Sequence, residues 1–249
     1  MRKTQLASLV GFAILVSMLG VAPQAEAVVL SVVTDAYVED FASNGVLDGI
    51  PDDIRNTNAL LAGKGILSSD AAVESRSIAI FNLNSYAGLT LGSAHLTGYG
   101  AGVDHNFSPE TITADFFSYA GDGVISLADF NRSATAAGSH TFDGLDPLTF
   151  ALNPFSLDVT SRIQPLLTQN ESYAEFRIVS DELTVLINAG DAASPDYQVD
   201  TRYPGPQLVL EFATGQGPVV PEPSSLLLLG TGLLGLAGTR RRRRQGMGS

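Results

Sequence analysis

No stretch in the middle of this chain keeps a helical period for long. Between residues 28 and 212, short apolar or alternating runs recur roughly every 10 to 20 residues, each stopped by Gly, Asn, Asp or Pro. The runs fall at 28–38, 76–83, 89–100, 111–119, 124–130, 149–159, 173–180, 184–188 and 207–212. A polar segment over 40–58 is broken by Asn44-Gly45, Asp48-Gly49 and Pro51, and 60–61 precedes an expected turn at Gly63-Lys64-Gly65. One short helix is expected over 161–168, with Ile163, Leu166 and Leu167 on one side and Pro165 in its first turns. This pattern predicts an all-β fold, an antiparallel β-sandwich or jelly roll.

The two ends differ from the middle. Arg2 and Lys3 precede an apolar run over 6–21, and Ala25-Glu26-Ala27 supplies the small-x-small pattern of signal-peptide cleavage. Cleavage after Ala27 would start the mature chain at Val28. At the other end, Pro221-Glu222-Pro223 is followed by residues 224–239 without a charge and by five arginines at 240–244. Sixteen helical residues cover about 24 Å, a little short of the roughly 30 Å hydrocarbon core. Extension back over Val219 and Val220, or local thinning, closes that gap. The arginines fit the cytoplasmic side of a membrane. The expected organisation is a signal peptide over 1–27, a β-sandwich domain over 28–214, a linker over 215–223 and a transmembrane helix with an arginine stop over 224–244.

The tripartite tail resembles the PEP-CTERM sorting signal of exopolysaccharide-producing bacteria, with Pro221, Glu222 and Pro223 at the name-giving triplet. The resemblance implies an exosortase-type membrane peptidase as partner and transient anchoring in the inner membrane of a Gram-negative cell. It further implies delivery to the cell surface or its polysaccharide matrix. The body also carries, in order, Thr34-Asp-Ala-Tyr-Val38, an Asn-rich stretch through Asn58, Leu60-Leu-Ala-Gly63 and Arg76-Ser-Ile-Ala-Ile-Phe-Asn-Leu83. Ser93-Ala-His-Leu96, Phe155-Ser-Leu-Asp-Val-Thr160 and Pro206-Gln-Leu-Val-Leu210 follow. This series is similar to DNRLRE-type domains, jelly-roll modules related to carbohydrate-binding modules. Asn82 stands where that family has aspartate, and the family's Trp is missing.

Charge and composition exclude several functions. Between Val28 and Val220 there are seven basic and 24 acidic residues, a net charge of −17. Such a surface repels nucleic acid. With no Cys there is no disulfide framework, thiolate nucleophile or Cys metal site. His95, His105 and His140 lack metal-ligand spacing. No Gly-x-Ser-x-Gly elbow occurs. The segment from Gly121 to Phe130 resembles the second half of an EF-hand loop, with Asp122, Gly123 and Asp129 in place. Ser118 and Ala120 stand at its first and third ligand positions, so it lacks hard ligands. A hairpin turn at Asp122-Gly123 is the simpler reading. The acidic stretch Glu39, Asp40, Asp48, Asp52 and Asp53 holds enough carboxylates for calcium but follows no ligand pattern. Tyr119, Tyr173, Tyr197 and Tyr203 are candidate sugar-stacking residues, the last two first.

The expected protein is therefore exported and non-catalytic, without a required cofactor, acting at the cell surface or in extracellular polysaccharide. A secreted lyase or hydrolase, and a structural domain with no ligand, are the alternatives.

Overall fold

The computed structural model describes residues 27–55, 59–68, 71–103, 108–146, 148, 151–181, 184–188 and 203–213. The leader, the Pro-Glu-Pro triplet, the apolar tail, His105 and Tyr197 lie outside them. The chain divides into two compact units between Gly217 and Pro218, and every described residue belongs to the first.

That unit is mostly antiparallel β-structure. Its strands are β1 (Ala27–Ser31), β2 (Thr34–Ala42), β3 (Asp53–Arg55), β4 (Ala59–Ser68), β5 (Ala71–Asn82) and β6 (Leu91–Val103). They continue as β7 (Ile112–Ala120), β8 (Thr135–Phe142), β9 (Asn153–Asp158), β10 (Tyr173–Val179), β11 (Thr184–Asn188) and β12 (Gln207–Phe212). One layer is built around β6, which pairs β12 and β11 in tandem along one side and β9 on the other. β1 extends this layer beyond β12. The second layer runs β3-β2-β5-β10-β7-β8.

β4 belongs to both layers. Its Leu61 and Ala62 pair with β11, and its Gly63 and Lys64 pair with β5. The turn expected at Gly63-Lys64-Gly65 is therefore a passage of one strand between sheets. Two glycines in three residues let the backbone bend there without side-chain cost.

The layers face each other across one core. Phe81, Phe116, Phe142 and Phe176 meet Leu96, Phe155, Leu208, Leu210 and Phe212 from the opposite layer. Phe116 and Phe155 stack across the gap with centroids 5.4 Å apart. The strand period of two produces this: inward residues of β6 are Ala94, Leu96, Gly98 and Gly100, while His95, Thr97 and Tyr99 alternate outward. The rings of Phe155 and Phe142 lie 2.7 Å from where Cβ atoms on Gly98 and Gly100 would stand, which is why those inward positions are glycine.

The helix α1 (Thr160–Thr168) closes one end, burying Ile163, Leu166 and Leu167. Asp158 Oδ1 accepts from the Thr160 amide at 2.9 Å and its hydroxyl at 2.7 Å, fixing the helix entry. Asn170 at φ 58° ends it. One expected strand is absent, and β8 arises where none was expected. Residues 124–130 form no strand; Leu127–Phe130 is a 3-10 turn. β8, written Thr-Ala-Ala-Gly-Ser-His-Thr-Phe, shows no apolar alternation and exists because β7 offers it a ladder.

Candidate functional site

The connection from β7 to β8 folds back as a flap over the outer face of the second layer. It carries the loop that resembles half an EF-hand. Phe130 buries against Val38, Ile78 and Ile80, with Ile125 and Tyr173 beside it. The Arg76 guanidinium lies 4.0 Å from the centroid of the Phe130 ring.

Charged groups on β5 and β10 hold the flap down. Arg177 Nη1 donates to the carbonyls of Asp129, Phe130 and Arg132 at 2.9, 3.2 and 2.8 Å. Arg76 Nη1 donates to the Phe130 carbonyl and, at 3.0 Å, to Asn131 Oδ1. Arg76 is itself held by Glu74. Asp129, fully buried, accepts from the Ser126 amide and hydroxyl at 2.8 and 2.9 Å and pairs with Arg132 at 3.1 Å. Glu175, also fully buried, accepts from the Gly123 amide at 3.1 Å. Its side chain fills the space that any side chain on Gly121 would occupy. Tyr119 stands opposite Glu175 in the ladder. Tyr119 Oη and Glu175 Oε2 are near enough to influence each other's ionisation yet are not in hydrogen-bonding geometry.

The carboxylates weighed as calcium ligands are thus used otherwise. Asp129 caps a turn and faces an arginine, while exposed Asp122 accepts from the Val124 amide at 2.9 Å. The other acidic stretch staples itself in the same way. Asp40 accepts from Gly49 N, Asp52 from Phe41 N and Asp48 from Ile50 N, each at 2.8 Å. Glu39 pairs with Arg55 at 3.0 Å. Among the described residues no group of three acidic or histidine side chains could hold a metal ion. The hairpin turn expected at Asp122-Gly123 is a turn within the longer flap, with Gly123 at φ 84° and Tyr173 packed against it.

Burial raises the Glu175 carboxyl above its ordinary 4.5, Asp129 adding to the effect and Gly123 N–H opposing it. Burial also raises Asp40, against its bond from Gly49. For Glu74, burial opposes ionisation, but Arg76 and Lys64 win and hold it below the ordinary value. A carboxyl raised on folding binds protons more tightly in the native state. Its contribution to stability is therefore present at low pH and lost as pH rises from the ordinary to the raised value. Glu74 acts oppositely, its contribution lost as pH falls below 4.5. Unfolding free energy is expected to fall as pH rises above the ordinary 4.5 of Glu175. Glu175→Gln should flatten that fall, where one such group gives a slope of up to about 1.4 kcal/mol per pH unit. Urea titrations across pH check this, and an unchanged slope in the variant would remove Glu175 from the explanation.

Two surface features could meet a ligand. One is an open cavity of about 410 Å³ lined by Gly45, Val46, Leu47, Lys64, Gly65 and Ala72. The other is a tyrosine pair on the outer face of the first layer. Tyr99 and Tyr203 are half-buried, with centroids 4.8 Å apart at 32°. Outward-facing Thr97 stands in the same row as Ser156 and Gln207. Of the tyrosines expected to stack on sugars, Tyr203 is half-buried, packed on Tyr99 and against the cluster of Ala101, Val103, Leu145 and Leu186. Tyr119 and Tyr173 are turned against the flap. Tyr99 escaped notice because it sits in a glycine-rich run, Gly98-Tyr-Gly, whose strand parity only the ladder reveals. Of the histidines, His105 lies outside the described residues, His95 faces outward on β6, and His140 packs on Phe142 and Phe155, burial holding it below the usual imidazole range.

Comparison with known proteins identifies the tail. Residues 219–243 match the PEP-CTERM protein-sorting motif. No curated protein matches the chain. Among solved structures, a latent aurone synthase (polyphenol oxidase) from natural source aligns with 49% of this chain and 21% of its own, at 11% identity and a TM-score of 0.28. A score that low carries no argument about the body. No helix among the described residues is long and apolar enough to cross a membrane.

Proposed function

We propose that this is an exported, non-catalytic protein of the cell surface or exopolysaccharide matrix, processed through its C-terminal tail by an exosortase-type peptidase. The match of residues 219–243 to the sorting motif carries the reading. The β-sandwich is the cargo, and the leader and tail are its route. Glycan contact is assigned to the Tyr99–Tyr203 ledge, two half-buried rings on the outer face beside Thr97, Ser156 and Gln207. The body is read as a carbohydrate-module-like jelly roll. A non-catalytic role is supported by the way Glu74, Asp129 and Glu175 are spent on holding the flap.

Intact-mass analysis of the protein from surface, medium and membrane fractions of the native host tests this. The expected mature form begins at Val28 and ends near Pro221. Replacing Pro221, Glu222 and Pro223 by alanine should leave the arginine run attached and the chain in the membrane fraction. A wild-type protein that keeps 240–244 would make the tail an ordinary anchor. Glycan-array binding by the processed body then tests the ledge.

A further inference from the structure

Four times in this chain an Asn or Asp stands directly before glycine: Asn44-Gly45, Asp48-Gly49, Asp122-Gly123 and Asp143-Gly144. Such a pair is chemically exposed, because a glycine amide nitrogen can approach the preceding side-chain carbonyl carbon with no Cβ in the way. Three of the four share one shape. Asn44 Oδ1 accepts from Val46 N at 3.0 Å, Asp48 Oδ1 from Ile50 N at 2.8 Å and Asp122 Oδ1 from Val124 N at 2.9 Å. Their glycines are left-handed, at φ 74°, 77° and 84°.

The glycine nitrogens are held differently. Gly49 N donates to buried Asp40 at 2.8 Å, and Gly123 N to buried Glu175 at 3.1 Å, with Tyr173 packed on Gly123. Gly144 is wedged against Pro109 and Glu110. Gly45 N donates to a neutral backbone carbonyl, that of Ala42, at 3.2 Å, the long end of the N–H···O range. Asn44, Gly45 and Val46 are all exposed to water.

We propose that Asn44 is a site of spontaneous deamidation, with the Gly45 amide nitrogen as nucleophile and water as co-reactant. The nitrogen gives its proton to solvent hydroxide and bonds to Asn44 Cγ. The carbonyl electron pair moves onto Oδ1, where the Val46 N–H already points and stabilises the charge. The Cγ–Nδ2 bond then breaks, the nitrogen takes a proton from water, and ammonia leaves a five-membered imide. Water opens that ring at either carbonyl, giving an aspartyl or an isoaspartyl residue at position 44. Asp48 and Asp122 lag on chemistry as well as geometry, since a carboxylate is a poor electrophile. The product rebuilds the wall of the open cavity, which Gly45 and Val46 line. A carboxylate joins the loop of Asp40, Asp48 and Asp52, and the isoaspartyl form adds a methylene to the backbone. Ammonia is lost to solvent, so the change runs one way and accumulates with the age of the chain.

The test keeps the full chain folded in water enriched in heavy oxygen, then locates the label by fragment mass. Label is expected at position 44, split between aspartyl and isoaspartyl forms, before any appears at 48, 122 or 143. In urea, labelling at 48 and 122 should catch up, because unfolding frees their glycine amides from Asp40 and Glu175. Asn44→Gln, whose longer side chain would need a larger ring, and Gly45→Ala, which puts a Cβ beside the nucleophile, should each lose the label at 44. A native chain unlabelled at 44 while the unfolded chain reacts would overturn the proposal, since the fold would then protect the site. Equal native labelling at 44, 48 and 122 would overturn the role given to the glycine partners. Label at 44 in the aspartyl form alone would mean direct attack by water and would remove Gly45 from the reaction.

Discussion

Replacing Arg177 by leucine is expected to release the flap and cost about 3–5 kcal/mol, the range seen when one member of a buried charged network is removed. Arg177 is 8% exposed and donates to three carbonyls of one loop. The Phe130 carbonyl keeps its bond from Arg76, but the Asp129 and Arg132 carbonyls lose theirs when the guanidinium goes. The carbonyls must then stay buried unpaired, at roughly 1–3 kcal/mol each, or the loop must lift into water. Lifting exposes Phe130 and the patch of Val38, Ile78 and Ile80 beneath it. The loss also leaves Asp129 with less compensating charge. Arg177→Lys should recover little, because one ammonium cannot span the same carbonyls. Urea unfolding gives the energy, and hydrogen exchange over residues 121–132 gives the place. A variant with native stability but fast exchange confined to the flap would show that the flap opens without the sandwich; slow exchange would refute its dependence on Arg177.

The second large effect lies between the layers. Phe155 is 4% exposed and contacts Phe116, Phe142 and His140 with centroids 5.4, 5.5 and 5.9 Å away. Phe155→Ala is expected to cost about 3–5 kcal/mol. The hole cannot collapse readily, because its floor is Gly98, which has no side chain to move. Gly98→Ala alone should also destabilise, by about 1–3 kcal/mol, since the new Cβ would stand 2.7 Å from the Phe155 ring. Combined, the two substitutions relieve each other: the methyl enters the space the ring has left. The double variant should be more stable than the sum of the single effects by at least about 1 kcal/mol. Strict additivity in denaturant titrations would mean that the two residues do not share this space.

The alternating runs of β5, β6, β7, β10 and β12 could be read directly, because apolar side chains every second residue mark a half-buried strand wherever it sits. So could α1, whose Ile163, Leu166 and Leu167 repeat at helical spacing. The tail could also be read, because a triplet, an apolar span and an arginine run act through local chemistry and need no fold. Other features depended on distant partners. β8 has no pattern of its own and takes its form from β7. Gly63 and Gly65 look like a turn until β11 and β5 claim opposite halves of one strand. The carboxylates of the flap matched half of a calcium-loop pattern, because spacing shows charge but not the arginines facing it. Arg76 and Arg177 lie 101 residues apart in sequence and act on one loop only after β5 and β10 pair. The chain by itself determined its β-character and its C-terminal sorting motif. Tertiary structure decided which charges neutralise each other and which glycines receive rings, because each of these is set by contacts between segments far apart in sequence.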